Sequence, residues 1–196
     1  MKKLTRDELY TLEKYAEIRA DLRAQVMAHK NNRRLPIGPN VTLYFEDRMT
    51  IQYQIQEMLR IEKIFQAEDI GEELKAYNPL IPDGKNWKAT MMIEYGDPAE
   101  RARHLARMID IENRVWLRVD DCMPVRPVAD EDLERTNRGK TSAVHFLRFE
   151  LEDDMVQKLR GGARLAAGID HEVYNHTVES VPENIRTSLV NDLDQS

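Results

Sequence analysis

The segment Val41-Thr42-Leu43-Tyr44-Phe45-Glu46 places apolar residues at alternate positions, and the run 47–65 follows it directly. Such alternation is typical of a half-buried strand. On a helix, which turns 100° per residue, the large apolar residues of the following run fall within about 80° of one another. They are Ile51, Ile55, Met58 and Phe65. The segment therefore predicts a strand followed by a helix that faces a core.

Glu62 falls in the middle of this apolar stripe. Taking a carboxylate out of water costs several kcal/mol unless a cation, a metal ion or hydrogen-bond donors meet it. We therefore expect Glu62 to have such a partner or an opening to solvent. The partner is either an arginine or backbone donors of another segment, or Glu62 is a metal ligand or a general base. Glu57 projects from the opposite side of the helix, where it predicts an exposed pair with Arg60.

The composition is that of a globular, highly charged protein, with 41% hydrophobic and 33% charged residues in a chain of 196. This length suits one domain with a sizeable core. We predict a single domain over residues 1–196, in which residues 1–40 form an N-terminal helix and a basic loop. This N-terminal part either packs on the rest or extends from it.

Several classes of protein are disfavoured by the sequence. No apolar run approaches the roughly 18 residues that span a bilayer, and the first six residues lead into charge rather than into a signal peptide. We therefore expect a cytoplasmic protein that binds no membrane. The net charge of −6 argues against nonspecific binding to nucleic acid. The single cysteine, Cys122, excludes an internal disulfide and any multi-cysteine metal site within this chain.

Along the chain, helix and strand signals alternate irregularly. A capping box at Thr5 and Glu8 predicts an N-terminal helix that continues to about residue 29. Further strands are predicted at 89–95, 115–119, 143–151, 163–169 and 172–179, and further helices at 68–77, near 98–109, at 152–160 and from about 182. Residues 123–142 are predicted to be a connector with one short helix at 130–135. We predict an α+β fold: a mostly antiparallel sheet flanked by helices, with an N-terminal helix.

Three histidines are candidate metal ligands. His145 shares the apolar face of a predicted strand, where a core imidazole is the alternative to a ligand. His171 and His176 are five positions apart, which does not fit the His-Glu-x-x-His motif of zinc proteases, and on an extended chain they point to opposite faces. A site built from Glu62, His145 and one of the other two histidines would suit iron or manganese. The sequence requires no cofactor.

The basic segment 30–40 contains Arg33 and Arg34 beside two prolines and a glycine, which exclude regular helix. Adjacent arginines can bind an anion. The alternative is a solvated connector.

Three stretches carry a resemblance to a known family. They are Phe45-Glu46-x-Arg48-x-Thr50-x-x-x-Gln54-Ile55-Gln56-Glu57-Met58-Leu59-Arg60-x-Glu62, Tyr77-Asn78-Pro79-Leu80-Ile81-Pro82 and Val144-His145-Phe146-Leu147-Arg148-Phe149. They resemble a bacterial family of uncharacterised proteins, domain-of-unknown-function family 3501, over nearly the whole chain. The resemblance implies no established activity. It does imply a genomic association with rubrerythrin-like proteins and iron–sulfur oxidoreductases, and hence with peroxide defence or electron transfer.

Three functions follow as alternatives. The first is an accessory or binding protein of a bacterial redox or oxidative-stress system, with a rubrerythrin-like or iron–sulfur protein as its partner. The second is a metalloenzyme that uses Glu62 with the histidines to hold non-haem iron or manganese. The third is an anion-binding module that uses Arg33 and Arg34. The sequence decides neither between enzyme and binding protein nor whether the chain forms homo-oligomers.

Overall fold

The computed structural model describes residues 2–136 and 139–194, which form two antiparallel sheets and six α-helices. The strands are β1 (Arg34–Ile37), β2 (Val41–Glu46), β3 (Asn86–Ile93), β4 (Val115–Val119), β5 (Val128–Ala129), β6 (Val144–Glu150), β7 (Leu165–His171) and β8 (Tyr174–Val178). The helices are α1 (Leu12–Lys30), α2 (Arg48–Ile61), α3 (Ala67–Tyr77), α4 (Pro98–Arg107), α5 (Asp153–Arg160) and α6 (Glu183–Val190). The predicted α+β class, with an N-terminal helix, is confirmed.

The larger sheet has the strand order β1-β2-β3-β6-β5, and the smaller sheet has the order β4-β7-β8. Every pairing in both is antiparallel. In the centre of the larger sheet Tyr44 lies opposite Thr90, and Thr90 lies opposite Phe146. Because side chains alternate along a strand, these three residues point to the same face of the sheet.

The opposite face of the larger sheet packs into the main core. Its buried residues include Phe45, Trp87, Met91 and Phe149, and they form one apolar cluster with residues of the smaller sheet such as Leu117. The indole N–H of Trp87 donates a hydrogen bond to the carbonyl oxygen of Leu189, 2.8 Å away, which ties the C-terminal helix to this core. A buried tryptophan needs such a partner for its single donor.

A second apolar cluster covers part of the Tyr44 face. It joins the N-terminal segment to α2, to α3 and to the turn that follows α3, and its buried members are Leu4, Ile51, Ile55, Leu59, Leu74 and Ile81. Asp47 caps α2 by accepting a hydrogen bond from the backbone N–H of Thr50 at 2.9 Å. Of the four residues predicted to form the apolar stripe, Ile51 and Ile55 are buried in this cluster, Met58 is half-buried, and Phe65 lies beyond the end of α2.

The predicted burial of Glu62 is wrong. Helix α2 ends at Ile61, and Glu62 is the residue that caps its C-terminus, with an exposed side chain. Lys63 then adopts a left-handed conformation with φ of 55°, which stops the helix, and Phe65 is 72% exposed. The helix does not extend far enough to bring Glu62 over the core.

Two local predictions are also corrected. Within the basic segment 30–40, residues 34–37 form strand β1, because Leu35 and Ile37 bury their side chains in the main core. The connector after β4 contains strand β5 instead of the helix predicted at 130–135. None of the helices in the described ranges has both the length and the apolar composition that a membrane crossing requires.

Candidate functional site

A cleft opens between the Tyr44 face of the larger sheet and the helices that partly cover it. Its cavity volume is about 440 Å³. The apolar part of its lining comes from strands β2, β3 and β6 and from the end of α3 with the turn beyond it. These residues are Tyr44, Tyr77, Leu80, Met92, Val144 and Phe146, all partly buried. The cleft is therefore formed where sheet and helices fail to close completely on each other.

The carboxylate of Glu46 lies among these apolar walls. Glu46 is the last residue of β2, and its even position in that strand directs it to the cleft face. Its Oε1 accepts a hydrogen bond from the hydroxyl of Thr90 at 2.8 Å, and its Oε2 accepts one from the hydroxyl of Thr50 at 2.6 Å. Since a carboxylate has about four acceptor positions, about two remain for a ligand.

A second cavity continues from the cleft and shares Tyr77, Leu80 and Phe146 with it. Its volume is about 410 Å³, and Lys88 and Arg148 add charge to its lining. Lys88 donates a hydrogen bond to the carbonyl oxygen of Pro79, and burial lowers the pKa of Lys88. Arg148 is already paired with Glu131 at 2.7 Å. The two cavities together form an elongated groove, and its cleft end carries the carboxylate of Glu46 together with the cationic side chains of Lys30 and Arg33.

A buried ionic network supports the floor of the cleft. The guanidinium of Arg33 is 2% exposed and donates hydrogen bonds to the carbonyl oxygens of Phe45 and Glu46, at 2.9 and 3.1 Å. It also pairs with Asp192, and its Nε lies 3.4 Å from Oδ2 of Asp47. Its five donors are thus directed at groups of the protein itself.

The pKa values of the two carboxylates in this network are shifted in opposite directions. Burial raises the pKa of Asp192 to about 6. Burial also acts to raise the pKa of Asp47, but the charge of Arg33, the N–H of Thr50 and the imidazole of His29 outweigh it and lower that pKa. The His29 Nε2 lies 2.5 Å from Oδ2 of Asp47.

The structure does not bring Arg33 and Arg34 together as an anion site. Arg33 is buried and paired, whereas Arg34 is exposed on β1, with its guanidinium 5.9 Å from the centre of the Tyr44 ring. Arg33 lies directly before β1 and turns inward to Asp47 and Asp192, whereas Arg34, the first residue of β1, is exposed.

The predicted metal ligands are dispersed. Glu62 is exposed at the end of α2. His171 is buried at the end of β7, where its Nε2 donates to the carbonyl oxygen of Ile109 at 3.0 Å and its Nδ1 accepts from the N–H of Val173 at 3.3 Å. His176 packs beside the Tyr174 ring. In the described ranges, neither Glu62 nor these two histidines belong to a group of residues placed to share a metal ion.

His145 is completely buried on the core side of β6, as its position on the apolar face predicts. Both nitrogens of this buried imidazole have polar partners: Nδ1 contacts Asp130, and Nε2 contacts Thr141 and Ser142. Glu112 and Asp130 offer ligand atoms within 4.8 Å of one another and of the imidazole. Sequence reasoning missed both acids, since they come from segments 33 and 15 residues before His145 that show no metal-binding spacing.

A profile of the family described as "Protein of unknown function (DUF3501)" matches residues 3–193. The chain belongs to this family. It is also similar to a protein of unknown function from Burkholderia pseudomallei K96243, known from a crystal structure at 1.90 Å resolution. The two are 53% identical, with a TM-score of 0.93, and the match covers 98% of this chain and 100% of the other. No curated protein matches the chain.

The family's description and the solved relative assign no activity, so the site rests on its own geometry. The three stretches that carry the resemblance meet at the cleft. The first supplies Glu46 and Thr50, the second supplies Tyr77, and the third supplies Phe146. The signal that could have located the cleft from sequence was therefore the set of three stretches that carry the resemblance.

Proposed function

We propose that the protein is a binding protein whose cleft takes up a small molecule with a flat apolar body and a cationic head. The observation that carries this proposal is the placement of Glu46: a carboxylate held by two threonine hydroxyls inside a cleft with aromatic walls. The hydroxyls fix the direction of the carboxylate before a ligand arrives.

The dimensions and the lining support this class of ligand. A volume of about 440 Å³ lies within the usual range for ligand sites, about 300 to 1,000 Å³. Such sites combine apolar walls with a few polar groups that orient the ligand. The rings of Tyr77 and Phe146 provide walls for a flat body, and charge-assisted hydrogen bonds to Glu46 would hold an ammonium or amidinium head.

The test uses three probes that share a phenyl ring and differ in the charge of the head: 2-phenylethylamine, 2-phenylethanol and 3-phenylpropanoate. Each is titrated into the ¹⁵N-labelled protein to concentrations on the order of 1 mM and above, the range expected for fragments. The amine is expected to shift the amide signals of Glu46, Tyr77 and Phe146 most. Equal or stronger shifts with the carboxylate, or shifts confined to other regions, would overturn the proposal.

The matched variants are Glu46→Gln and Glu94→Gln. Both remove one negative charge, but Glu94 lies on the surface beyond β3 and outside the cleft. Glu46→Gln should weaken binding of the amine by about tenfold or more, because a charge-assisted hydrogen bond contributes about 1.5 to 3 kcal/mol. Glu94→Gln should leave the affinity unchanged.

A narrower role, as an accessory protein of a redox or peroxide-defence system, comes from the resemblance alone. Neither the family's description nor the solved relative names a redox role or a metal. The test is direct: the purified chain is mixed with a rubrerythrin-like protein from the same bacterium, and the mixture is analysed by sedimentation. A complex would support this role, and separate sedimentation at micromolar concentration would contradict it.

A further inference from the structure

A second group of polar side chains lies on the other face of β6 from the cleft. Val144 and Phe146 line the cleft, whereas His145 between them points to the core side. There the His145 imidazole meets Glu112, from a 3₁₀ turn, and Asp130, which directly follows β5. At most 9% of each of these three side chains is exposed.

Asp130 fixes the orientation of the imidazole. The Nδ1–H of His145 donates to Oδ2 of Asp130 at 2.6 Å. The other oxygen of Asp130 accepts from the backbone N–H of Phe146 at 2.9 Å. A carboxylate on one ring nitrogen is the usual support for a histidine whose other nitrogen binds a metal ion. Nε2 of His145 is thereby directed away from Asp130.

Oxygen atoms surround Nε2. The hydroxyl of Thr141 lies 2.9 Å away, the carbonyl oxygen of Ser142 lies 3.1 Å away, and Oε2 of Glu112 lies 3.9 Å away. With metal–ligand bonds of about 2.1 Å, neighbouring ligand atoms stand about 3.0 Å apart and opposite ones about 4.2 Å apart. The observed separations fall within these limits.

The charges around this point favour a cation. Glu112 is buried, and its oxygens accept from the hydroxyls of Thr136 at 2.7 Å and Thr141 at 3.4 Å, both uncharged donors. Asp130 shares the guanidinium of Arg135, 3.4 Å away, with Asp132. Two carboxylates held largely out of water around one imidazole form a site that favours a cation.

We propose that His145 and Glu112 bind a divalent metal ion, with the hydroxyl of Thr141 and the carbonyl oxygen of Ser142 as further ligands. Asp130 is the positioning residue that orients the imidazole. The ligand set of one nitrogen and several oxygens suits Mn²⁺, whereas copper prefers softer ligands. This proposal is independent of the cleft and of its ligand.

The first experiment is a titration of the metal-free protein with Mn²⁺. Binding is measured as the loss of the free-ion signal in electron paramagnetic resonance. Wild type is expected to bind one Mn²⁺ per chain. Glu112→Gln, which keeps the shape of the side chain, should lower the affinity by about tenfold or more. The matched control is Glu62→Gln, which changes an exposed residue and should bind as wild type does.

A second measurement on wild type keeps the test valid if Glu112→Gln does not fold. Bound Mn²⁺ broadens the NMR signals of nearby nuclei, so the amide signals of Thr141, His145 and Phe146 should disappear first, while that of Glu62 persists. The same titration with Zn²⁺ and Mg²⁺ ranks the ions. The proposal is overturned if none of the three ions binds at concentrations on the order of 1 mM, or if binding broadens or shifts other regions instead.

Discussion

The hydroxyl of Thr90 lies 2.8 Å from Oε1 of Glu46, although 44 positions separate the two residues in the sequence. The register of β2 and β3 creates this contact, because it pairs Tyr44 with Thr90 and Glu46 with Lys88. Thr90 and Glu46 are therefore diagonal neighbours on one face of the sheet. The contact orients the carboxylate that the proposed ligand would meet.

Thr90→Val removes this donor while keeping the shape of the side chain. We expect it to lower the free energy of unfolding by about 1 kcal/mol, the usual net value of one hydrogen bond. Urea denaturation measures the difference. Thr42→Val is the control, since Thr42 is buried on the same face of the sheet but is not a donor to Glu46. A loss of stability as large in the control as in Thr90→Val would refute the assignment.

Arg33 and Arg34 are expected to respond very differently to substitution. Arg33→Leu leaves the carboxylates of Asp47 and Asp192 buried without their cation, so it should destabilise the protein by about 3 to 5 kcal/mol. Arg34→Leu changes an exposed residue and should alter stability by about 0.5 kcal/mol or less. Denaturation curves of the two variants decide the matter, and similar midpoints would contradict the buried network.

Glu57 should make stability depend on acid pH. It forms the predicted pair with Arg60, at 3.3 Å, but it is largely buried and also accepts hydrogen bonds from Arg19 at 2.7 Å and from the hydroxyl of Tyr15 at 2.7 Å. Glu57 therefore joins α1 to α2. The bond from Arg19 lowers the pKa of Glu57 from 4.5 to about 2.

Because the folded state holds this proton less tightly than the unfolded state, the contribution of Glu57 is complete above pH 4.5 and is lost as the pH falls towards 2. Glu57→Gln should therefore be less stable than wild type at pH 7, with a difference that narrows below pH 4.5. Thermal unfolding from pH 7 down to about 3 tests this linkage. A difference that is constant or grows on acidification would be evidence against it.

Two glycine substitutions should change stability in opposite directions. A Cβ on Gly168 would lie 2.3 Å from Cζ2 of Trp116 on the neighbouring strand, so Gly168→Ala should destabilise by about 1 to 3 kcal/mol. Gly71 lies inside α3, where a Cβ meets nothing within 4 Å. Gly71→Ala should stabilise by about 0.5 to 1 kcal/mol, because alanine favours helix. A melting temperature that rises for Gly168→Ala would contradict the close contact between Gly168 and Trp116. One that falls for Gly71→Ala would contradict the open space around Gly71.

The fold class was accessible from the sequence because periodicity is a local property. The alternation in β2 and the apolar stripe of α2 predicted both elements, and the helix predicted near 98–109 is observed as α4. The end of α2 was not accessible, since it depends on the left-handed conformation of Lys63. The conformation of this one residue ends the helix, so Glu62 is exposed and not buried as predicted.

The candidate sites were less accessible, because they depend on contacts between distant segments. Arg33 meets Asp192 across 159 positions, and neither residue has a local signal that indicates the other. The sequence made His145 a candidate ligand, but Glu112 reaches it only through the packing of a 3₁₀ turn against the sheet. Glu46 belongs to the first of the three stretches that carry the family resemblance, yet only the strand register shows that it enters a cleft.

A crystal structure of the protein soaked with 2-phenylethylamine would show whether the cleft binds a cationic ligand. We predict the ammonium group within hydrogen-bond distance of the Glu46 carboxylate and the phenyl ring between Tyr77 and Phe146. An ammonium group bound elsewhere, or a phenyl ring outside the cleft, would contradict this prediction.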